Sequence, residues 1–178
     1  MIETTDLVPR GFYRDVLLGA DGAPLWDRGW HSNAIVADCR RLIASALRGA
    51  PTTVTAIEGL LVGAGADAWD AAAPPAPNGT ETRLVDPNPY LAQGAAVQID
   101  FLEGGTVVAA PSNRLQIKVT LGPSLPSWPD PNHVTGNLRE FGLAARLNGQ
   151  RVLLNYVTHP VIAKDPASTL ERTIWLVF

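Results

Sequence analysis

The chain has 178 residues, a formal net charge of −3 and a single cysteine, Cys39. This length suits one domain that buries roughly 70% of its unfolded surface, so a core can form without disulfide bonds. One cysteine excludes an internal disulfide framework and a cysteine-based zinc site, and the negative charge argues against broad attraction to nucleic acid or anionic membranes.

Targeting and membrane signals are missing from the sequence pattern. The first fifteen residues, MIETTDLVPRGFYRD, contain no basic segment followed by a long apolar run, as a secretory signal would. No stretch approaches the roughly 20 apolar residues of a membrane span. We therefore expect a protein made in the cytoplasm, with no membrane insertion.

The first predicted element is a hairpin over residues 12–30. Residues 12–18 alternate imperfectly between apolar and polar side chains, and Ala-Asp-Gly at 20–22 is a turn signal. Residues 25–30 then form the return strand.

An amphipathic helix is predicted over residues 33–48, because apolar residues recur there at helical spacing. Ser32 or Asn33 can cap its start with a side-chain oxygen, and Gly49 can take the left-handed conformation just past its end. Since Cys39 lies on the apolar stripe, we interpret it as a small buried hydrophobe and not as a reactive thiol. The stripe consists of Ile35, Cys39, Leu42, Ile43, Ala46 and Leu47.

The remainder of the chain reads as short strands and turns. Strands are predicted over residues 54–62 and within 96–178, and proline-rich loops over 64–80 and 123–136. An Asn-Gly pair at 148–149 indicates a tight hairpin. The predicted fold is mainly β (α+β): a single domain over residues 1–178, built as an antiparallel β-sandwich or partly open barrel of about eight strands with one amphipathic helix near the N-terminus.

One glycine-rich turn resembles a cofactor motif. Gly63, Gly65 and Ala68 fit G-x-G-x-x-A directly after an apolar strand, and Asp86 lies about 20 residues on. The context argues against a dinucleotide site, because Pro74 and the proline after it shorten any following helix and the later strands form hairpins. We interpret the turn as the end of a buried strand and expect no cofactor.

Candidate catalytic and metal-binding residues are scattered. His31, His133 and His159 have no spacing that presets two metal ligands, and no nucleophile elbow occurs. The exception among the carboxylates is Glu140, which lies in an apolar strand beside Arg139. It can face solvent, pair with an arginine or meet another subunit.

Two of the five tryptophans, Trp69 and Trp128, fall in the predicted loops. They can anchor a protein interface, where aromatic residues are enriched. Alternatively, the loops fold back and bury both indoles within one subunit.

Three segments together resemble small structural proteins of tailed-phage virions and of phage-tail-like contractile injection particles. These are SNAIVADCRRLIASALRG at 32–49, IEGLLVGAG at 57–65 and the stretch from 138 to the C-terminus. In the last stretch the shared positions are Glu140, Gly142, Leu143, Leu153, Ile162, Lys164, Leu170, Trp175 and Phe178.

The resemblance implies a non-enzymatic β-rich subunit, made in the host cytoplasm and assembled into a virion or tail-like particle. It implies a homo-oligomer, a trimer or hexamer, that docks on other tail, collar, cap or baseplate proteins and does not bind nucleic acid sequence-specifically. It implies no catalytic residues, cofactor or metal. The residues expected at interfaces are Trp69, Trp128, Glu140, Trp175 and Phe178.

Two other functions remain open at this stage. The chain can be a receptor- or carbohydrate-binding β-sandwich module at a tail tip, with Trp69 and Trp128 as stacking platforms. It can also be an enzyme whose site is assembled from dispersed residues.

Overall fold

The computed structural model describes residues 8–178, within which eleven strands and one α-helix form. The first seven residues, which the predicted domain includes, lie outside the described residues. The helix is α1 (Ala37–Arg48), and two short 3₁₀ turns cover Asp67–Asp70 and Gly94–Ala96. The strands are β1 (Arg10–Leu18), β2 (Pro24–Ile35), β3 (Gly59–Gly63), β4 (Tyr90–Ala92), β5 (Val97–Glu103), β6 (Thr106–Val108), β7 (Arg114–Leu121), β8 (Asn137–Leu147), β9 (Gln150–Leu153), β10 (Asn155–Ala163) and β11 (Thr169–Val177).

The strands form one open, antiparallel sheet in the order β4-β3-β8-β10-β2-β1-β11-β7-β5-β6, with β9 on β8. The predicted mainly β fold with one helix is confirmed, but the prediction of about eight strands is wrong. β4, β6 and β9 contain only three or four residues, which is too short to show an alternating pattern in the sequence.

Of all neighbouring strands in the sheet, β2 and β10 pair over the fewest residues. Only Asn155 with Ile35 and Tyr156 with Ala34 are paired there, whereas β1 and β11 pair over nine residues. This short β2–β10 pairing divides the sheet into a first half (β2, β1, β11, β7, β5 and β6) and a second half (β4, β3, β8, β9 and β10).

The two halves share one hydrophobic core. Tyr13 on β1 meets Phe141 on β8 edge to face, with ring centroids 5.2 Å apart. Such contacts between halves hold the sheet folded over itself. Other fully buried members are Leu60 and Val62 on β3, Ile117 on β7, Leu143 on β8, Ile162 on β10, and Leu170 and Ile174 on β11.

Helix α1 begins later than the sequence predicts. Ser32 and Asn33 lie in β2, where Asn33 pairs with Gly11, so the predicted side-chain cap is wrong. The residue before the helix is Val36, which makes no side-chain capping hydrogen bond. The strand hydrogen bonds of β2 with β1 and β10 outweigh one cap, and the helix starts only after they end.

Most other predicted boundaries shift by a few residues. The strand predicted over residues 54–62 is regular only in β3, and Val54 forms an isolated bridge with Leu147. The Asn148-Gly149 turn joins β8 to β9 with positive φ angles of 50° and 79°. No helix within residues 8–178 has the length and apolar character needed to cross a bilayer.

Candidate functional site

Glu140 is the centre of a buried hydrogen-bond network. Its carboxylate accepts a hydrogen bond from the hydroxyl of Tyr156 at 2.6 Å, from the backbone N–H of Asp86 at 2.7 Å and from that of Val85 at 2.9 Å. The side chain is fully buried. It therefore does not face solvent, pair with an arginine or reach another subunit, and its predicted interface role is wrong.

The burial of Glu140 follows from the position of β8 in the sheet. β8 lies between β3 and β10, and one of its faces contributes to the shared core. On its other face Ala144 packs in a second cluster with Leu61, Leu84, Leu153 and Tyr156. Both faces of β8 are covered, so polar side chains on this strand must find partners inside the protein.

Asp86 extends the network to the loop of residues 123–136. His133 contacts the Asp86 carboxylate through Nε2 at 3.0 Å and Asp130 through Nδ1 at 2.8 Å. Each ring nitrogen of His133 thus faces one carboxylate oxygen. Burial acts to raise the pKa of Asp130, but hydrogen bonds from the N–H groups of Asn132 and His133 and from the His133 ring lower it overall.

Trp128 stacks on the His133 ring, with centroids 3.8 Å apart and planes 20° from parallel. The indole is buried, so the loop folds back over its own chain, which was the second interpretation of this tryptophan. Trp128 therefore offers neither an interface anchor nor a stacking platform, and both predictions for it are wrong.

This cluster does not form a metal centre. The two carboxylates approach opposite nitrogens of His133, so they cannot converge on one ion. Across residues 8–178 no group of three His, Cys, Asp or Glu side chains is placed to hold a metal.

The glycine-rich turn after β3 is occupied by protein groups. The N–H of Ala64 donates to the Asp86 carboxylate at 2.8 Å, where a dinucleotide site would place a phosphate. Arg139 binds the carbonyl of Ala64 and both carboxylate oxygens of Asp70. Trp69 is half-buried against Gly65, where an added Cβ would lie 2.6 Å from its ring.

A second buried network crosses the core between β1, β10 and β11. Arg172 binds Asp15 through two hydrogen bonds of 2.6 and 2.7 Å, and its guanidinium lies 3.7 Å from the centre of the Phe141 ring. His159 Nε2 lies 3.2 Å from Nη2 of Arg172, and Nδ1 lies 2.9 Å from the carbonyl of Pro160. These contacts fit a neutral imidazole that accepts from Arg172 and donates to Pro160.

Burial of His159, aided by the charge of Arg172, lowers the pKa of the imidazole to about 3. The unfolded chain takes up this proton near the ordinary pKa of about 6.5. Stability is therefore complete above that pH and is lost as the pH falls from about 6.5 towards 3, by up to about 1.4 kcal/mol per pH unit.

We expect His159→Gln to reduce the loss of unfolding free energy between neutral pH and the acid range, measured by urea unfolding at a series of pH values. His31→Gln, which replaces an exposed histidine, is the matched control and should keep the wild-type pH dependence. Parallel pH profiles for wild type and His159→Gln would contradict a neutral buried imidazole.

Trp175 lies on the outer face of the first half. It is half-buried and packs in a tilted arrangement against Trp30 on β2, with ring centroids 4.3 Å apart. Trp30 was predicted only as part of the return strand, and its closeness to Trp175 depends on strand order, which the sequence does not show.

Phe178 lies on the rim of an apolar groove, which we call the α1 groove. Its volume is about 230 Å³. One wall comes from α1 and the others from the segment before β3 and the ends of β5, β7 and β11. Prominent lining residues are Leu42, Ile43, Ile57, Ile99, Leu115 and Phe178.

The two polar networks around Glu140 and Arg172 are buried, whereas some large aromatic side chains are exposed. Both buried networks form their hydrogen bonds with other groups of the same chain, and Nη1 of Arg172 has no partner among residues 8–178. Phe178 and Trp30, in contrast, are exposed. The resemblance to phage structural proteins stays a prediction that rests on sequence motifs. Comparisons with protein-family models, curated proteins and solved structures find no match for this chain.

Proposed function

We propose that the chain is a structural subunit of a phage virion or of a phage-tail-like contractile injection particle. In this proposal it assembles as a symmetric homo-oligomer and docks on neighbouring tail, cap or baseplate proteins. The sequence motifs support the type of particle. The α1 groove supports assembly, and it is the observation on which the proposal depends.

The apolar stripe of α1 extends beyond the core of its own chain. Cys39, the first residue of the stripe within α1, is buried, Ile43 is half-buried, and Leu47, one further turn along, is 86% exposed. Across the groove Ile99 and Phe178 are 41% and 38% exposed. Covering apolar side chains in a partner gains about 25 cal/mol per Å² removed from water.

The form of the sheet also suits assembly. The open sheet folds over its shared core in a sandwich-like way, and its two outermost strands, β4 and β6, are edges. Edge strands carry free backbone hydrogen-bonding groups that a neighbouring copy can pair with. A ring of identical subunits uses such edges in a closed, controlled way.

The proposal predicts that the purified chain forms an oligomer of defined size, and that Ile99→Asp raises its dissociation constant at least tenfold, a change of about 1.4 kcal/mol. A charge on the groove wall would have to be desolvated on association. Size-exclusion chromatography with light scattering over a dilution series measures both results. Val134→Asp changes a more exposed apolar residue outside the groove and should leave the oligomer intact.

A wild-type chain that stays monomeric at every accessible concentration would contradict self-assembly. Equal effects of the two substitutions would contradict the α1 groove as the contact. The type of particle is tested separately, by electron microscopy of particles from the producing cell labelled with antibody against the chain; label confined to free protein would contradict it.

A further inference from the structure

The outer face of the first half carries an aromatic pair with an accessible ring. Trp30 is 42% exposed and packs at 42° to the plane of Trp175. The two residues lie on either side of β1, since Trp30 is opposite Arg14 and Trp175 is opposite Phe12. This face does not contribute to the shared core.

One member of the pair, Trp175, is held by a hydrogen bond to the neighbouring strand. Nε1 of Trp175 donates a hydrogen bond to Oε1 of Gln116 at 3.2 Å. Gln116 is directly opposite Trp175 in the β11–β7 register and is buried. A ring held in this way loses little further freedom when a ligand stacks on the pair.

A polar cavity of about 330 Å³ lies on the same face, next to the aromatic pair in the strand register but not lined by either tryptophan. Thr173, in its lining, points to the same side of β11 as Trp175, and Arg14 lies opposite both Thr173 and Trp30. Its hydrogen-bonding side chains belong to Arg14, Lys118, Thr120, Glu171, Arg172 and Thr173. The charge of Arg172 is already paired with Asp15.

The charges around this cavity balance. Arg14 forms an ion pair with Asp27 on the neighbouring strand, while Lys118 and Glu171 are both exposed. The face thus offers hydrogen-bond donors and acceptors without an excess of either sign. An anionic ligand or a nucleic acid would require a net positive surface.

We propose that this face binds an uncharged oligosaccharide, with one sugar ring stacked on Trp30 and the hydroxyl groups of the following sugar units bonded to Arg14, Lys118 and Glu171. Sugar rings combine an apolar C–H face with a rim of hydroxyl donors and acceptors. An exposed indole next to polar side chains of both signs matches that combination. An apolar protein partner fits less well, because charged and hydroxyl side chains line the cavity beside the aromatic pair.

The test is an array of immobilised neutral and acidic oligosaccharides probed with the full chain, followed by titration of the strongest neutral hit with intrinsic tryptophan fluorescence as the signal. We expect Trp30→Ala to weaken that hit at least roughly tenfold, and Glu171→Gln to weaken it by roughly tenfold. Trp69→Ala, which removes a half-buried tryptophan in a loop, is the matched control and should bind as wild type.

Retention of no oligosaccharide on the array would overturn the proposal, as would retention of acidic ones alone. Unchanged affinity in Trp30→Ala or Glu171→Gln would overturn the assigned site. A loss in Trp69→Ala equal to that in Trp30→Ala would also overturn it. The proposal does not depend on self-assembly, so the Ile99→Asp variant should bind the sugar as wild type does.

Discussion

Replacing Arg172 with methionine is expected to lower the free energy of unfolding by about 3–5 kcal/mol. The substitution removes both hydrogen bonds to Asp15 and leaves that carboxylate in the core, where it is fully buried. A charge left there without a partner has lost its hydration and gains nothing in return. Urea unfolding followed by tryptophan fluorescence measures the change.

Two variants separate the ion pair from simple loss of packing. The double replacement Asp15→Leu with Arg172→Met removes both charges, and we expect it to recover most of the lost stability. Arg14→Met is the matched control, since Arg14 precedes Asp15 but makes its ion pair with Asp27 on the exposed face. Its unfolding midpoint should stay close to that of the wild type. A double variant no more stable than Arg172→Met would contradict the buried-charge explanation.

The Asp15–Arg172 pair shows where prediction from sequence stops. Alternation in β1 places Asp15 on the same face as Tyr13 and Leu17, so its burial could have been inferred from the pattern. Its partner could not, because Arg172 lies 157 residues away and meets Asp15 only through the β1–β11 register. Long-range register depends on the whole sheet and not on local residues.

Glu140 shows a different limit. The sequence places it in an apolar strand and leaves three environments open for its side chain: solvent, an arginine partner or another subunit. β8 is covered on both faces, and the groups that bind the carboxylate come from the loop of residues 84–86 and from β10. That loop carries no periodic pattern that would reveal its position.

The helix and the aromatic residues show how competing local signals are resolved. Residues 32–35 satisfy a helix-start pattern, yet they extend β2 because pairing with β1 and β10 satisfies more backbone groups. Of the expected interface residues, Phe178 is exposed, Trp69 and Trp175 are half-buried, and Trp128 and Glu140 are buried. Aromatic content alone does not tell a folded-back loop from an interface.

Glu140→Ala is expected to lower the free energy of unfolding by at least about 3 kcal/mol, because it leaves the Tyr156 hydroxyl and two backbone N–H groups without an acceptor. Urea unfolding measures this loss. Burial and the hydrogen bond to Glu140 also raise the pKa of Tyr156. Losing that acceptor should bring the tyrosine pKa down towards its ordinary value, which an ultraviolet titration of the folded protein detects.

A matched control is Glu58→Ala, which removes a carboxylate bound to Arg146 and Arg151 near the surface. Exposed ion pairs contribute about 0–1 kcal/mol, so this variant should be much less affected. If Glu140→Ala were no more damaging than Glu58→Ala, water would have to reach the vacated position and satisfy Tyr156 and the two N–H groups. The loop of residues 84–86 would then be held by apolar packing around Leu84, and the buried carboxylate would not be what fixes it to β8.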